Sequence, residues 1–373
     1  MLRINASRFT EIRIVRGYTI KALAHELNIS HQAISQHEKG RAKPSLCVLE
    51  KLIRLMNIPG SFLGKEDLST YDRSAPLFFS PLKPGQQGGK ELARILVKWA
   101  YELVHEMEGT SESLAKDINL PDFPPDTDVD AKTGLLRRYW GLGLGPIDDL
   151  TAVLETNGFY VLNMNLDRLE VDAYSQMQNG HPFVVVNRHR GSALKGRFAL
   201  ARELGHIVLH RHSGPEEWAD DERRWEMESK ARRFAGSFLL PEDSFRHKMI
   251  RTKPDYFLTV KKEWKVPLGV LLDRCVQLNR LDAERAARLQ KQIWQKKWRL
   301  AGPLDEAFIW EKPAGMRKAL EYIVSDRKRG EDFLNRARFA LADIEALCAL
   351  DAHFFSSFGL PGGMGTQEIQ DYV

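Results

Sequence analysis

The chain has 373 residues, 43% hydrophobic and 28% charged, with three cysteines and a formal net charge of +5. No run of eighteen apolar residues occurs, which argues against a membrane-spanning helix. Cys47, Cys275 and Cys348 lie far apart without a C-x-x-C pair, which excludes a disulfide framework and a cysteine-based zinc site. The opening Met1-Leu2-Arg3-Ile4-Asn5 has no signal-peptide apolar core, and a reducing cytoplasm is the expected location. The length suits two or three domains. Residues 1–64 hold ten Lys/Arg and four Asp/Glu, a net of +6, while the rest of the chain balances to −1. Such asymmetry points to an anionic partner for the N-terminal end, nucleic acid before membrane.

In chain order, five short helices are expected first. Phe9 to Arg16 ends near Gly17, Thr19 caps Ile20 to Leu27, and Ser30 caps His31 to Glu38. Pro44-Ser45 opens a helix through Met56, and a last turn lies near Phe62-Leu63. Leu23 to Ser30 reads as a helix, a tight turn and a new N-cap, with small Ala24 where two helices cross. The segment from Leu23-Ala24 through Ile29-Ser30-His31-Gln32-Ala33-Ile34-Ser35-Gln36-His37-Glu38-Lys39-Gly40 to Pro44 resembles the XRE (lambda-repressor-like) DNA-binding family, over roughly residues 5–64. The resemblance implies that the helix after the turn enters the major groove of double-stranded DNA. Gln32 would pair with adenine beside His31, Ser35 and Gln36, and Lys39, Arg41 and Lys43 would meet phosphates. A dimer on paired half-sites is expected. The competing reading is a solvated helix in a bundle that binds another repressor.

Residues 67–90 read as a Pro/Gly-rich linker, with Phe78-Phe79 packing on the next domain. A helix from Glu91 to about Met107 follows. The glycines at 141, 143 and 145 lack the Lys-Ser/Thr and the preceding strand of a phosphate loop. Strands are expected at Phe159–Leu162, Val171–Ser175 and 183–186, feeding a helix over Arg197–His210.

That helix carries Arg202-Glu203-Leu204-Gly205-His206. Zinc peptidases place H-E-x-x-H on a helix because His at i and i+4 grip one ion, with the Glu as base on the metal-bound water. Here the base, the spacing and the second His are present, and the first His is Arg202. A guanidinium stays protonated and offers no lone pair to a metal.

The stretches Gly145-Pro146-Ile147, Val171–Ser175, Val185-Val186-Asn187, Arg197–His210, Glu228–Ala235 with Leu239-Leu240-Pro241, Trp264–Pro267 and Leu271–Arg274 together resemble the ImmA/IrrE metallopeptidase family, over roughly residues 130–300. The resemblance implies Glu203 as base, with His206 and Glu228 as zinc ligands. Positions 202 and 232 depart from it; Arg232 stands where asparagine is usual. Three ways of meeting the change at 202 follow. His210, one turn after His206, could hold metal with Glu203 on the wrong side of it; His189 and His212 have no spacing in their favour. Alternatively Arg202 replaces the ion by pairing with Glu203 and Glu228. Otherwise the domain is an active zinc protease cleaving a partner repressor. The resemblance also suggests mobile-element, stress or toxin–antitoxin control, with a repressor or toxin protein as partner.

Beyond the motif, Glu242–Leu281 is expected to be helical with Lys261, Lys262 and Lys265 in solvent. Asp282–Arg299 carries Arg285, Arg288, Lys291, Lys296 and Lys297, and residues 303–350 suggest two helices before a loose tail from Phe358. The fold class is mainly α with a small α+β domain. Its parts are an N-terminal five-helix lambda-repressor-like bundle (1–66), a linker (67–90), a zincin-like α+β domain (91–300) and a helical C-terminal region (301–373).

Overall fold

A computed structural model of the chain describes residues 4–79, 87–110, 117–124, 126–214, 217–218, 220–249, 254–295 and 302–360. Residues 80–86 of the expected linker, Lys296, Lys297 and the tail beyond residue 360 lie outside the described residues. The chain divides into two compact units: Met1–Arg73 with Gln86–Ala115 and Gly315–Val373, and Ser74–Gly85 with Lys116–Ala314.

The first unit opens with α1 (Ala6–Val15), α2 (Ile20–Leu27), α3 (His31–Glu38), α4 (Leu46–Met56) and a 3-10 turn at Gly60–Gly64. Asn5, Thr19, Ser30 and Ser45 cap the four helices, each side chain accepting a bond from a first-turn N–H. Asn28 closes α2 in the left-handed conformation, φ 55, and so turns the chain sharply towards Ser30. Phe9, Ile12, Leu23, Leu27, Ile34, Leu52 and Leu63 form the buried interior.

α5 (Gln87–Glu108) belongs with this bundle rather than with the domain that follows it. The reason is a buried ionic cluster that apolar periodicity does not reveal. Arg8 on α1 bonds Glu11 at 3.0 Å and Glu102 on α5 at 2.7 Å. Lys98 pairs with Glu11 and, at 2.6 Å, with Asp67, while Trp99 donates its indole N–H to Glu11 at 2.9 Å. The C-terminal segment joins the same unit as three helices where two were expected, Gly315–Val324, Arg327–Ala337 and Leu341–Leu347. Asp326 caps the second of these, and Arg338 at φ 56 ends it. Phe339 meets Phe62 and Trp99 at ring-centroid distances of 5.7 and 5.3 Å. Arg16 grips Asp343 through two bonds of 2.7 and 2.8 Å.

The second unit contains β1 (Leu77–Phe79), α6 (Val129–Tyr139), α7 (Leu150–Thr156), β2 (Tyr160–Met164), β3 (Ala173–Gln178), β4 (His181–Asn187), α8 (Ala193–His210) and α9 (Asp221–Leu239). The sheet has four strands in the order β1-β3-β4-β2. β3 and β4 form a hairpin, and β2 runs parallel to β4. Asn179 and Gly180, at φ 48 and 82, supply the two positive φ values of a tight hairpin turn. β1, three residues long and preceded by Pro76, lies within the stretch whose composition predicts a linker. α8 lies on the sheet, α9 packs on α8, and α6 packs on α9. Val161, Val184, Val186, Ala201, Leu204, Ile207, Phe234 and Phe238 fill the space between these layers.

The stretch expected as continuous helix from Glu242 is divided into Glu242–Lys248, Pro254–Trp264 and Leu268–Gln277. Lys265 is left-handed (φ 52) and Pro267 cannot continue the preceding helix. Lys261 also departs from the expected solvated face: it is buried, pairing with Asp305 and donating to the Pro303 carbonyl at 2.7 Å. Ala283–Gln295 follows, with Arg285, Arg288 and Lys291 exposed.

Candidate functional site

α8 is placed by its own cap and its own glycine. Ser192 accepts from the Lys195 N–H at 3.4 Å. Gly205 lets α9 approach closely: a Cβ there would lie 2.9 Å from the Ala231 carbonyl oxygen and 3.1 Å from Phe234. This close crossing brings Glu228 of α9 to the face of α8 that bears Arg202 and His206.

The four groups form one bonded cluster. Arg202 Nη2 donates to Glu203 Oε1 at 2.9 Å, and its Nη1 lies 3.3 Å from Glu228 Oε1. His206 Nε2 is 3.1 Å from Glu228 Oε2. Ser175 Oγ on β3 donates to Glu203 Oε2 at 2.7 Å, so both oxygens of Glu203 are engaged. Arg202, Glu203 and His206 are buried at 6%, 1% and 3% exposure, which leaves bulk water little part in balancing the charges. Burial by itself pushes the Glu228 carboxyl up, but the His206 hydrogen bond and the charges of Arg202 and Arg232 outweigh it and hold it down at about 2. For Arg202 the carboxylates of Glu228 and Glu203 overcome desolvation and raise its pKa.

His210 is not drawn into this cluster. Its Nε2 donates to the Met227 carbonyl at 3.2 Å, and burial with the neighbouring His206 pushes its pKa down to about 4. His189 and His212 are exposed. Arg232 reaches Glu228 from the outer side at 3.4 Å. Among the described residues, no group of three or more His, Cys, Asp or Glu side chains is arranged to hold a metal ion. Ser175 is the partner the sequence reading passed over. Its signal was a small hydroxyl residue in a strand whose alternate positions, Ala173 and Ser175, are buried against the motif helix.

At the other end of the chain, α3 buries Ile34 and turns His31, Gln32 and Gln36 to solvent, with Ser35 half-buried. Lys39, Arg41 and Lys43, just beyond the helix, are exposed. Glu38, on the opposite side, is paired with Arg13 of α1, which ties α3 to the bundle. The glycine-rich segment at 141–145 holds a side chain by its carbonyls instead of offering N–H groups. Arg137 donates to the Gly143 and Gly145 oxygens at 2.8 and 2.5 Å.

A capped helix-turn-helix with a basic, polar outer face in one unit, and a sheet with a peptidase-motif helix in the other, define a DNA-binding protein with a peptidase-like domain. Residues 11–63 match a family model described as helix-turn-helix, and residues 155–276 match that of the IrrE N-terminal-like domain. The chain is thus a fusion of an XRE-type helix-turn-helix domain with an ImmA/IrrE-type domain. No curated protein matches it. Among the described residues no helix is long and apolar enough to cross a membrane.

Proposed function

We propose that the chain is a transcriptional regulator whose peptidase-like domain has exchanged hydrolysis for sensing or protein interaction. The observation that carries this is the Arg202 guanidinium, bonded to both Glu203 and Glu228. A catalytic zinc needs about three protein ligands and an open position. Of the family's set, His206 and Glu228 remain, and they bond each other. The third position bears a fixed positive charge that supplies what Glu203 and Glu228 would otherwise take from an ion. These residues do not fit a catalytic zinc, and no hydrolytic step follows from them. DNA is read through Gln32, Ser35 and Gln36, with Lys39, Arg41 and Lys43 on the backbone, by a homodimer on paired half-sites.

A second reading, a site-specific protease acting on a repressor partner, is favoured by the presence of Glu203, His206 and Glu228 together on α8 and α9. Metal analysis of the purified protein separates the two. The regulator reading expects little zinc and no cleavage. One zinc per chain, with cleavage abolished by Glu203→Gln, establishes the protease.

A further inference from the structure

We propose that β1 is a tethered peptide ligand of the second unit. The edge it fills is the docking site for an extended partner peptide of the same chemistry, a proline followed by apolar and aromatic residues. This deepens, and rests on, the reading of that unit as an interaction module.

The topology gives the first reason. Ser74–Gly85 belongs to the second unit, while the residues on both sides of it, Met1–Arg73 and Gln86–Ala115, belong to the first. The chain leaves one unit, lends a single short strand to the other, and returns. That strand has three residues, lies at the sheet edge and pairs antiparallel with β3, with Leu77 opposite Gln176, Phe78 opposite Ser175 and Phe79 opposite Tyr174. Addition of an extended peptide at a sheet edge draws affinity from main-chain bonds and specificity from side-chain sockets. Both are present here. The buried Gln176 side chain donates to the Ala75 carbonyl at 2.9 Å, reading the backbone just ahead of Pro76, which has no N–H to satisfy.

The socket for Phe78 is made by the candidate site itself. Its ring stacks on the His206 imidazole, 5.7 Å away at an interplanar angle of 4°, and meets Trp218 at 4.7 Å. Its partner across the ladder, Ser175, is the residue that bonds Glu203. The segment is therefore seated on the same side chains that an incoming peptide would have to find. A three-residue ladder can open locally without unfolding the sheet. While it is closed, the tether keeps β1 at an effective concentration of millimolar order, and free peptide at micromolar concentration is excluded.

The test uses the full-length protein and a fluorescein-labelled Ser-Ala-Pro-Leu-Phe-Phe peptide, followed by anisotropy. Phe78→Ala, which empties the socket and loosens β1, is expected to bind the peptide at least about tenfold more tightly than the unsubstituted protein, since intramolecular competition is weakened. A peptide with alanine in place of its first phenylalanine should lose that gain. Absence of binding to a folded Phe78→Ala protein, or equal binding to both proteins, overturns the proposal. If Phe78→Ala does not fold, hydrogen exchange on the unsubstituted protein decides. Amides of residues 77–79 exchanging at least about tenfold faster than those of 184–186 support local opening, and equal rates overturn it. Zinc-dependent cleavage of the bound peptide, lost in Glu203→Gln, would remove the non-hydrolytic reading and leave β1 as the occupant of the edge.

Discussion

Arg202 and Glu228 face each other across the α8–α9 contact, Nη1 to Oε1 at 3.3 Å, with His206 on the second carboxylate oxygen at 3.1 Å. The arrangement is a closed ion pair between two helices at a place where an imidazole would open a metal site. Arg202→His therefore should raise bound zinc from a trace to about one ion per chain, the stoichiometry of a single site. Metal analysis after dialysis checks this. Unchanged zinc in that variant would mean that the guanidinium is not what keeps the ion away.

Removing the charge without replacing it should be costly. Arg202→Ala leaves the buried Glu203 without its counter-ion and Glu228 with Arg232 and His206 alone, a change of roughly 3–5 kcal/mol in the stability of the second unit. The urea midpoint measures it. A shift equivalent to less than about 1 kcal/mol, the size of an exposed pair, would show that the cluster is solvated in solution.

Acid should weaken the second unit in two stages. His210 is pushed down to about 4 from an ordinary 6.5 by burial and then by His206. Between those values the unfolded chain takes up a proton that the folded imidazole does not, so stability falls as pH drops through that window, by roughly 2–4 kcal/mol. Glu228, held down at about 2 against an ordinary 4.5, contributes stability that is complete above 4.5 and is lost as pH falls towards 2. Denaturation midpoints from pH 7 to pH 3 check both stages. His210→Gln should flatten the upper stage alone, and an unchanged upper slope would remove His210 as its origin.

On the DNA side, the exposed residues of α3 and those beyond it divide into two kinds. Gln32→Ala should cost about 1–3 kcal/mol at one base position and relax sequence preference there. Arg41→Ala or Lys43→Ala should weaken all sequences alike and reduce the salt slope by about 1 each. Titration of a duplex selected from a random pool, at several salt concentrations, measures both. Affinity that does not move with salt would argue for the protein-binding alternative.

The helix-turn-helix is built into a larger unit, and this too can be measured. Glu102 is fully buried, bonds Arg8 at 2.7 Å, and lies on α5, outside the helix-turn-helix match. Glu102→Ala leaves the buried Arg8 with Glu11 and Asp67, takes from Lys65 the carboxylate 3.6 Å away, and should destabilise the first unit by roughly 3–5 kcal/mol. DNA binding and helical signal should then be lost at the same lower temperature. Full DNA binding above that transition would mean that residues 1–66 fold alone.

Local chemistry determined much of what the sequence alone could say. Thr19, Ser30 and Ser45 mark helix starts because their side chains satisfy orphan amides. Those are interactions between near neighbours, so the α2–α3 grammar was legible residue by residue. The same holds for the motif on α8: an arginine in place of the first histidine is a chemical statement before any fold is known. Tertiary structure alone decided how Arg202 spends its charge, since Glu228 is 26 positions away and reaches it only because Gly205 lets two helices close up. It alone revealed Ser175 behind Glu203, β1 at the sheet edge, and α5 with the C-terminal helices in the DNA-binding unit. In each case the deciding contact is a long-range polar or aromatic one, Arg8 with Glu102, Phe62 with Phe339, Phe78 with His206, and such contacts leave no periodic trace along the chain.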